Sequence, residues 1–203
     1  MIAIVEYGVG NLFSLISSFK KIGVEVTVTN DKEVLKKADK IILPGVGAFS
    51  DAAVKLKKSG LFEFLKEEAE AGKYIMGICL GMQLLFEKSY EYGCHEGLGI
   101  IKGSIRPITD IIPKDYKVPH IGWNALEFTK ESKIFKYINN GDHVYFVHSF
   151  YGAECEKNVN AVSEYGAKIT ASVEKGNVYG CQFHPEKSGD VGLKILKAFC
   201  ELD

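Results

Sequence analysis

Arginine is almost missing from this 203-residue chain: Arg106 stands alone among 25 basic residues, and the lysines are interleaved with 26 acids for a formal charge of -1. Nucleic-acid and polyphosphate recognition leans on arginine forks and basic patches, so neither partner is favoured. Long hydrophobic runs are also missing, and no apolar stretch approaches the roughly 18 residues of a membrane span. Met1 leads straight into Ile2-Ala3-Ile4-Val5 with no basic flank or cleavage site, which gives the expectation of a cytoplasmic protein without a membrane partner. The five cysteines, Cys79, Cys94, Cys155, Cys181 and Cys200, are odd in number and never form Cys-x-x-Cys, which argues against a disulfide framework or a zinc site. His143 and His148 share a strand-like run but at odd spacing, so they point to opposite faces and cannot pair on a metal. No metal and no cofactor are expected. Repeats, low-complexity tracts and Pro/Gly-rich linkers are lacking too, which leaves residues 1–203 as a single domain.

What is present is an ordinary globular composition, 46% hydrophobic, on a chain long enough to bury roughly 70% of its unfolded surface. Ile2 to Glu6 reads as a buried strand. Asn11 to Ile22 reads as a helix whose Leu12, Leu15, Ile16, Phe19 and Ile22 share a face before Gly23 ends it. Val24 to Thr29 alternates as a strand, Lys32 to Lys37 is a short helix, and Lys40 to Leu43 is a strand stopped by Pro44-Gly45. Helical patterns cover Asp51 to Lys58 and Leu61 to Ala71, and Lys73 to Ile78 is a further strand. Strands alternating with helices imply a parallel sheet covered on both faces. The second half consists mostly of short strands, the clearest being His143 to Val147, Asn160 to Ser163, Lys168 to Val173 and Asn177 to Gln182, before a last helix over Val191 to Leu202. Gly93 to Gly103 and Ile108 to Lys117 read as loops. The expected fold is α/β, with a mixed, mostly parallel central sheet flanked by helices.

The chemistry concentrates in Gly77-Ile78-Cys79-Leu80-Gly81-Met82-Gln83, a cysteine between spaced glycines directly after an apolar strand. That layout resembles a nucleophile elbow, in which a sharp strand-to-helix turn lifts one side chain clear of the sheet. A free cysteine is more often core than catalytic. Here, though, a helix beginning at Leu80 turns its free amides toward the sulfur, favouring the anion and offering the Leu80 N–H to an oxyanion. Far along the chain, Gln182-Phe183-His184-Pro185-Glu186 supplies an imidazole and a carboxylate two positions apart, on one face if the segment is extended. Nucleophile, base and orienting group are then Cys79, His184 and Glu186. Pro44-Gly45-Val46-Gly47 closes a neighbouring strand at the carboxyl edge, where such sheets gather ligand contacts. Tyr7-Gly8-Val9-Gly10-Asn11 is a weak dinucleotide fingerprint, because Phe13 stands where the third glycine belongs.

Gly-Ile-Cys-Leu-Gly-Met-Gln with a late Phe-His-Pro-Glu resembles the class I (triad) glutamine amidotransferases, whose domain is flavodoxin-like, and the resemblance runs through nearly the whole chain. Tyr7 to Leu12, Leu43 to Phe49, Val118 to Asn124 (Val-Pro-His-Ile-Gly-Trp-Asn) and His184 to Ser188 are more narrowly similar to members that serve histidine biosynthesis. The resemblance implies hydrolysis of L-glutamine through a thioester at Cys79, with His184 moving protons and Glu186 holding the imidazole. It implies an oxyanion hole from Val46 and Leu80, and glutamine binding by Gly45, Gly47, Gln83 and the Ser149-Phe150 backbone. It further implies a (β/α)8 cyclase subunit as heterodimer partner and recipient of the ammonia, with Asn11, Trp123, Tyr145 and Lys187 at the interface. A lone tryptophan is usually well buried, so Trp123 is equally a core aromatic, and Lys187 equally a solvated lysine. A paralogous amidotransferase subunit of a sugar, pyridoxal phosphate or purine pathway, or a redox-sensing α/β protein without enzymatic activity, are the alternative readings.

Overall fold

The computed structural model describes residues 1–203. Its first half alternates strands and helices: β1 (Ile2–Val5), α1 (Leu12–Lys21), β2 (Val26–Thr29), α2 (Lys32–Lys37), β3 (Lys40–Leu43), α3 (Phe49–Lys58), α4 (Leu61–Glu70), β4 (Tyr74–Ile78) and the single-turn α5 (Leu80–Leu84). The second half adds β5 (Phe86–Ser89), β6 (His95–Glu96), β7 (Ile101–Pro107), β8 (His120–Ala125), β9 (Glu127–Phe128), β10 (His143–His148), β11 (Phe150–Ala153), β12 (Val159–Glu164), β13 (Lys168–Lys175), β14 (Val178–Cys181) and the closing α6 (Gly189–Cys200). No helix is long and apolar enough to cross a membrane.

The central sheet has eight strands in the order β2-β1-β3-β4-β14-β13-β12-β9. Contacts from β2 through β14 are parallel, and those among β14, β13, β12 and β9 are antiparallel. The inner parallel strands β1 and β3, buried on both faces, read as continuous apolar runs whose alternate residues divide between two cores, whereas the edge strand β2 alternates Val and Thr and stays half-exposed. From β1, Ala3 and Val5 pack with Phe49, Leu56, Phe62 and Leu65 of α3 and α4. Ile2 and Ile4 go to the other side, with Leu15 and Phe19 of α1 and Ile195 and Phe199 of α6. Two smaller sheets, β11-β7-β5-β6 and β10-β8, lie apart from it. In the order β2-β1-β3-β4, chain direction away from β1 reverses, so the carboxyl ends of β1 and β3 border the crevice where ligands gather in such folds. The Pro44–Gly47 turn begins there.

Most expected elements appear within two residues of their anticipated ends, but two segments differ. The loop expected over Gly93 to Gly103 contains β6 and the start of β7. The two-residue β6 is an edge pairing, Lys88 opposite Glu96 and Ser89 opposite His95, too short for any alternation to show in sequence. The loop expected over Ile108 to Lys117 begins with a 3-10 turn, Ile108–Asp110, and buries Ile108 and Ile112 against Ile169 in a small core of its own. The strand expected over Asn177 to Gln182 stops at Cys181.

The turn after it, Pro185–Lys187, is a 3-10 helix on which α6 sits closely. A Cβ at Gly192 would lie 1.8 Å from the Pro185 carbonyl oxygen, so α6 and the turn approach as they do because that side chain is absent. Gly192→Ala should therefore cost about 2 kcal/mol or more of stability through overpacking. Urea unfolding measures it, and an unchanged midpoint would contradict the packing described.

Candidate active site

Cys79 stands at the junction of β4 and α5 with φ 54 and ψ -110, a conformation seldom held by a residue with a Cβ. The glycines around it explain how the bend closes. A Cβ at Gly77 would meet the Gly81 carbonyl oxygen at 2.6 Å, and one at Gly81 would meet the Leu43 carbonyl oxygen at 1.9 Å. The Cys79 N–H donates to the Cys181 carbonyl at 2.7 Å, and its own carbonyl accepts from the Gln83 N–H at 3.1 Å, so the residue is anchored on both sides.

The other two groups come from the end of β14. His184 Nδ1 donates to Glu186 Oε1 at 2.7 Å, both side chains being 2% exposed. The sequence places the pair correctly for a different reason from the one expected. The segment is not a continuing strand: His184 is extended, with φ -102 and ψ 98, but Pro185 starts the 3-10 turn that folds Glu186 back beside the ring. Strand β10 holds this loop, since the His184 N–H donates to the Tyr145 carbonyl at 2.9 Å and the Tyr145 N–H to Ser188 Oγ at 2.9 Å. Burial alone would push the His184 ring down, but hydrogen bonding to Cys79 and Glu186 and their negative charge outweigh it and raise its pKa to about 9.

Val46, Gly47, Cys79, Leu80, Gln83, Glu91, Ser149, Phe150, His184 and Lys187 are among the residues lining one cleft of about 440 Å³. Of the residues expected for catalysis and glutamine binding, two do not line it: Glu186 lies behind the His184 ring, and Gly45 lies behind the wall. A Cβ there would come within 2.9 Å of the Gly81 nitrogen and 3.0 Å of the Tyr7 hydroxyl, so Gly45 allows the β3 turn to press on the elbow. Tyr7, fully inside the protein, donates its phenol to the Pro44 carbonyl at 2.6 Å. The segment that looked like a nucleotide fingerprint thus buttresses the turn beside Cys79.

Two residues were missed. Glu91 is buried on the cleft wall, with Oε2 accepting the Phe49 N–H at 2.6 Å. Gln182 is fully buried: its Oε1 accepts from Gln83 Nε2 at 3.0 Å and its Nε2 lies 3.8 Å from the Cys79 sulfur. For Gln182, adjacency to the His-Pro-Glu run is a usable sequence signal, whereas Glu91 lies in an unpatterned stretch and offers none.

Asn11 caps α1, its side-chain oxygen accepting from the Ser14 N–H at 3.3 Å. Trp123, an equal candidate for the core, is 53% exposed instead, because it points outward from the two-stranded β8-β10 sheet. It meets Tyr145 edge-on at 5.9 Å, and Lys187 Nζ sits 6.0 Å from the Tyr145 ring, so the three form one cluster bordering the cleft.

A cysteine on a strained elbow, an imidazole-carboxylate pair and a flanking Pro-Gly-Val-Gly turn on a flavodoxin-like sheet define a cysteine amidotransferase class. Residues 3–201 match the family model described as "Glutamine amidotransferase class-I", and the chain belongs to that family. Within it, the chain is 51% identical over 203 residues to "Imidazole glycerol phosphate synthase subunit HisH" of Caldanaerobacter subterraneus subsp. tengcongensis, covering 100% of this chain and 98% of that protein. It is 49% identical over 201 residues to the protein of the same name in Lactococcus lactis subsp. lactis, covering 98% of each. Among solved structures, "Crystal structure of glutamine amidotransferase" aligns with a TM-score of 0.76 at 19% identity, over 98% of this chain and 100% of that one. "Structure of PurLQS from Thermotoga maritima" aligns with a TM-score of 0.76 at 22% identity, over 98% of this chain and 96% of that one. At those identities the structures speak for the fold alone.

The raised pKa of His184 has a measurable consequence. Because it lies above the ordinary 6.5, the charged ring stabilises the fold fully below about pH 6.5, and that contribution is lost as pH rises through about 9. An NMR titration should find the ring's midpoint near 9, shifted down in Glu186→Gln, with thermal stability falling more steeply over this range in the wild type than in the variant. A midpoint at or below 6.5 would contradict the assignment.

Proposed function

We propose that the chain is the glutaminase subunit of an imidazole glycerol phosphate synthase, hydrolysing L-glutamine to glutamate and ammonia and passing the ammonia to a (β/α)8 cyclase subunit. The observation that carries this reading is that Cys79 and His184 meet on one cleft with Glu186 buried behind the imidazole. Identity of about half over the full length of curated synthase subunits narrows it to this pathway.

The steps follow from the groups in place. The Cys79 thiolate attacks the side-chain amide carbon of glutamine, and the oxygen that gains charge is met by the N–H groups of Leu80 and Val46. His184, held as a cation by Glu186, gives its proton to the departing nitrogen, and the C–N bond breaks to leave a glutamyl thioester and ammonia. The now neutral ring takes a proton from water as the water attacks the thioester. Collapse of that second adduct releases glutamate and restores the thiolate-imidazolium pair. At the far end of the substrate, the Glu91 carboxylate is the group of opposite charge to the amino group. Gln83, Gly47 and the Ser149-Phe150 backbone supply neutral hydrogen bonds to the rest of the amino-acid end.

Exposed apolar side chains near the carboxyl ends of the strands suit a protein partner: Phe13 is 80% exposed, Ile121 56%, and Val46 and Val118 41% each. With Asn11, Trp123, Tyr145 and Lys187 they form the surface on which the cyclase docks. A redox sensor has no need of a buried carboxylate on the imidazole, and that alternative is not favoured.

Cys79→Ala should abolish glutamine-dependent synthesis by the assembled enzyme while leaving ammonia-dependent synthesis intact, as read by product formation with each nitrogen donor. Loss of both in a folded complex would contradict the role. Glu91→Gln should raise KM for glutamine about tenfold or more, the worth of a charged hydrogen bond, with much less effect on kcat. A fall in kcat at unchanged KM would remove Glu91 from substrate binding.

A further inference from the structure

Two more imidazoles, which the hydrolytic steps do not use, are buried beside the cleft: His120 is 0% and His148 6% exposed. They are directly opposed residues of the β8-β10 pair. Their ring nitrogens form one line of contacts. His148 Nδ1 is 2.7 Å from the Phe150 carbonyl oxygen, and His148 Nε2 is 3.0 Å from His120 Nδ1. Beyond them, His120 Nε2 is 2.9 Å from Asn124 Oδ1, and Asn124 Nδ2 donates to the Glu164 carbonyl at 3.1 Å.

The direction of each bond follows from counting protons. A carbonyl oxygen can only accept, so His148 Nδ1 carries the hydrogen. Burial lowers the pKa of His148 to about 3, so the ring is neutral and its Nε2 is bare. A bare nitrogen accepts, so the proton between the rings belongs to His120 Nδ1. Both tautomers are thereby fixed from the Phe150 end.

We propose that His120 and His148 are positioning residues for glutamine binding: their rings form a hydrogen-bonded relay that ties the partner-facing strand β8 to the Phe150 segment of the cleft wall. On the cleft side the relay continues. The same Phe150 carbonyl accepts from Gln83 Nε2 at 3.5 Å, Gln83 Nε2 donates to Gln182 Oε1 at 3.0 Å, and Gln182 Nε2 reaches the Cys79 sulfur at 3.8 Å. On the outer side, His120 is clamped between Phe146 and Tyr165, with ring centroids at 4.9 and 4.1 Å and both interplanar angles 22°. Strand alternation turns Ile121 and Trp123 outward from the same β8. A displacement of β8 at that surface moves a rigid ring, and the ring moves a wall of the cleft.

The relay's outer link differs from its inner ones. His120 Nε2 faces an oxygen, so that link closes only when the ring carries a second proton. Burial lowers the ring's pKa and the Asn124 oxygen opposes the fall. The groups facing the ring are His148 and Phe146 from β10, Tyr165 after β12, and Asn124 of its own strand. As pH rises the Asn124 link opens first, while the inner links, which need only Nδ1–H, persist.

The functional part rests on the glutaminase reading, so the test has two arms. Nitrogen-15 NMR of histidine-labelled protein in complex with its cyclase should show His148 as the Nδ1–H tautomer with Nε2 bare at neutral pH. The Nε2–H tautomer overturns the relay. His120→Phe keeps the ring stack but removes the donor, and should raise KM for glutamine about tenfold while kcat stays within about threefold and ammonia-dependent synthesis is unchanged. An unchanged KM in a folded variant complex overturns the positioning role. A wild-type complex without glutaminase activity overturns the functional reading instead, and the tautomer still decides the relay.

Discussion

The bend at Cys79 is the constraint on which the rest of the site depends. A side chain at φ 54 is costly, of order 1–3 kcal/mol, and persists only where its surroundings leave no alternative. Here β14 binds the amide, Gly81 lies directly against the Leu43 carbonyl, and Gly77 lies against the Gly81 carbonyl. The bend and the β3 turn therefore cannot move independently. The positions of Cys79 and of the Pro44–Gly47 turn are coupled by one steric contact, between Gly81 of α5 and the end of β3.

The architecture divides the labour between its halves. The parallel half supplies Cys79, the proposed nucleophile, and the turn beside it from the adjacent ends of β4 and β3. His184, the proposed base, follows β14, where the parallel run meets the antiparallel one, and the small β8-β10 sheet reaches both His184 and the outer surface. Tyr145 illustrates the connection: its carbonyl holds the His184 loop, its N–H takes Ser188, and its ring meets Trp123 at the surface. One short strand thus touches the proposed catalytic imidazole and the proposed docking cluster, and its last residue, His148, belongs to the proposed histidine relay. On the proposed reading, hydrolysis of glutamine in step with a separate cyclase needs such continuity between surface and site.

Much of this was legible in the residues. Continuous apolar runs disclosed the parallel strands, helical periodicity disclosed α1, α4 and α6, and the spaced glycines around Cys79 disclosed the elbow. What was hidden depends on contacts between distant segments. Periodicity cannot show the two-residue β6, because its identity lies in its pairing. The burial of Ile108 and Ile112 depends on Ile169, far along the chain. The His184-Glu186 contact was expected on the right residues for an incomplete reason, since a 3-10 turn and not strand alternation brings them together. Glu91 was invisible because nothing local distinguishes a buried carboxylate on a cleft wall from a solvated one. Trp123 shows the reverse limit: composition favours burial, whereas strand geometry turns it outward.

The central claim, that Cys79 is the group poised for attack, is most directly tested by labelling the protein with an electrophilic glutamine analogue and locating the adduct by peptide mass spectrometry. The account predicts modification at Cys79 alone, slowed by added glutamine, with Cys155 and Cys181 silent in their buried positions and the exposed Cys94 untouched for want of a binding site. Modification of Cys94 in preference to Cys79, or labelling of Cys79 at a rate indifferent to glutamine, would contradict it.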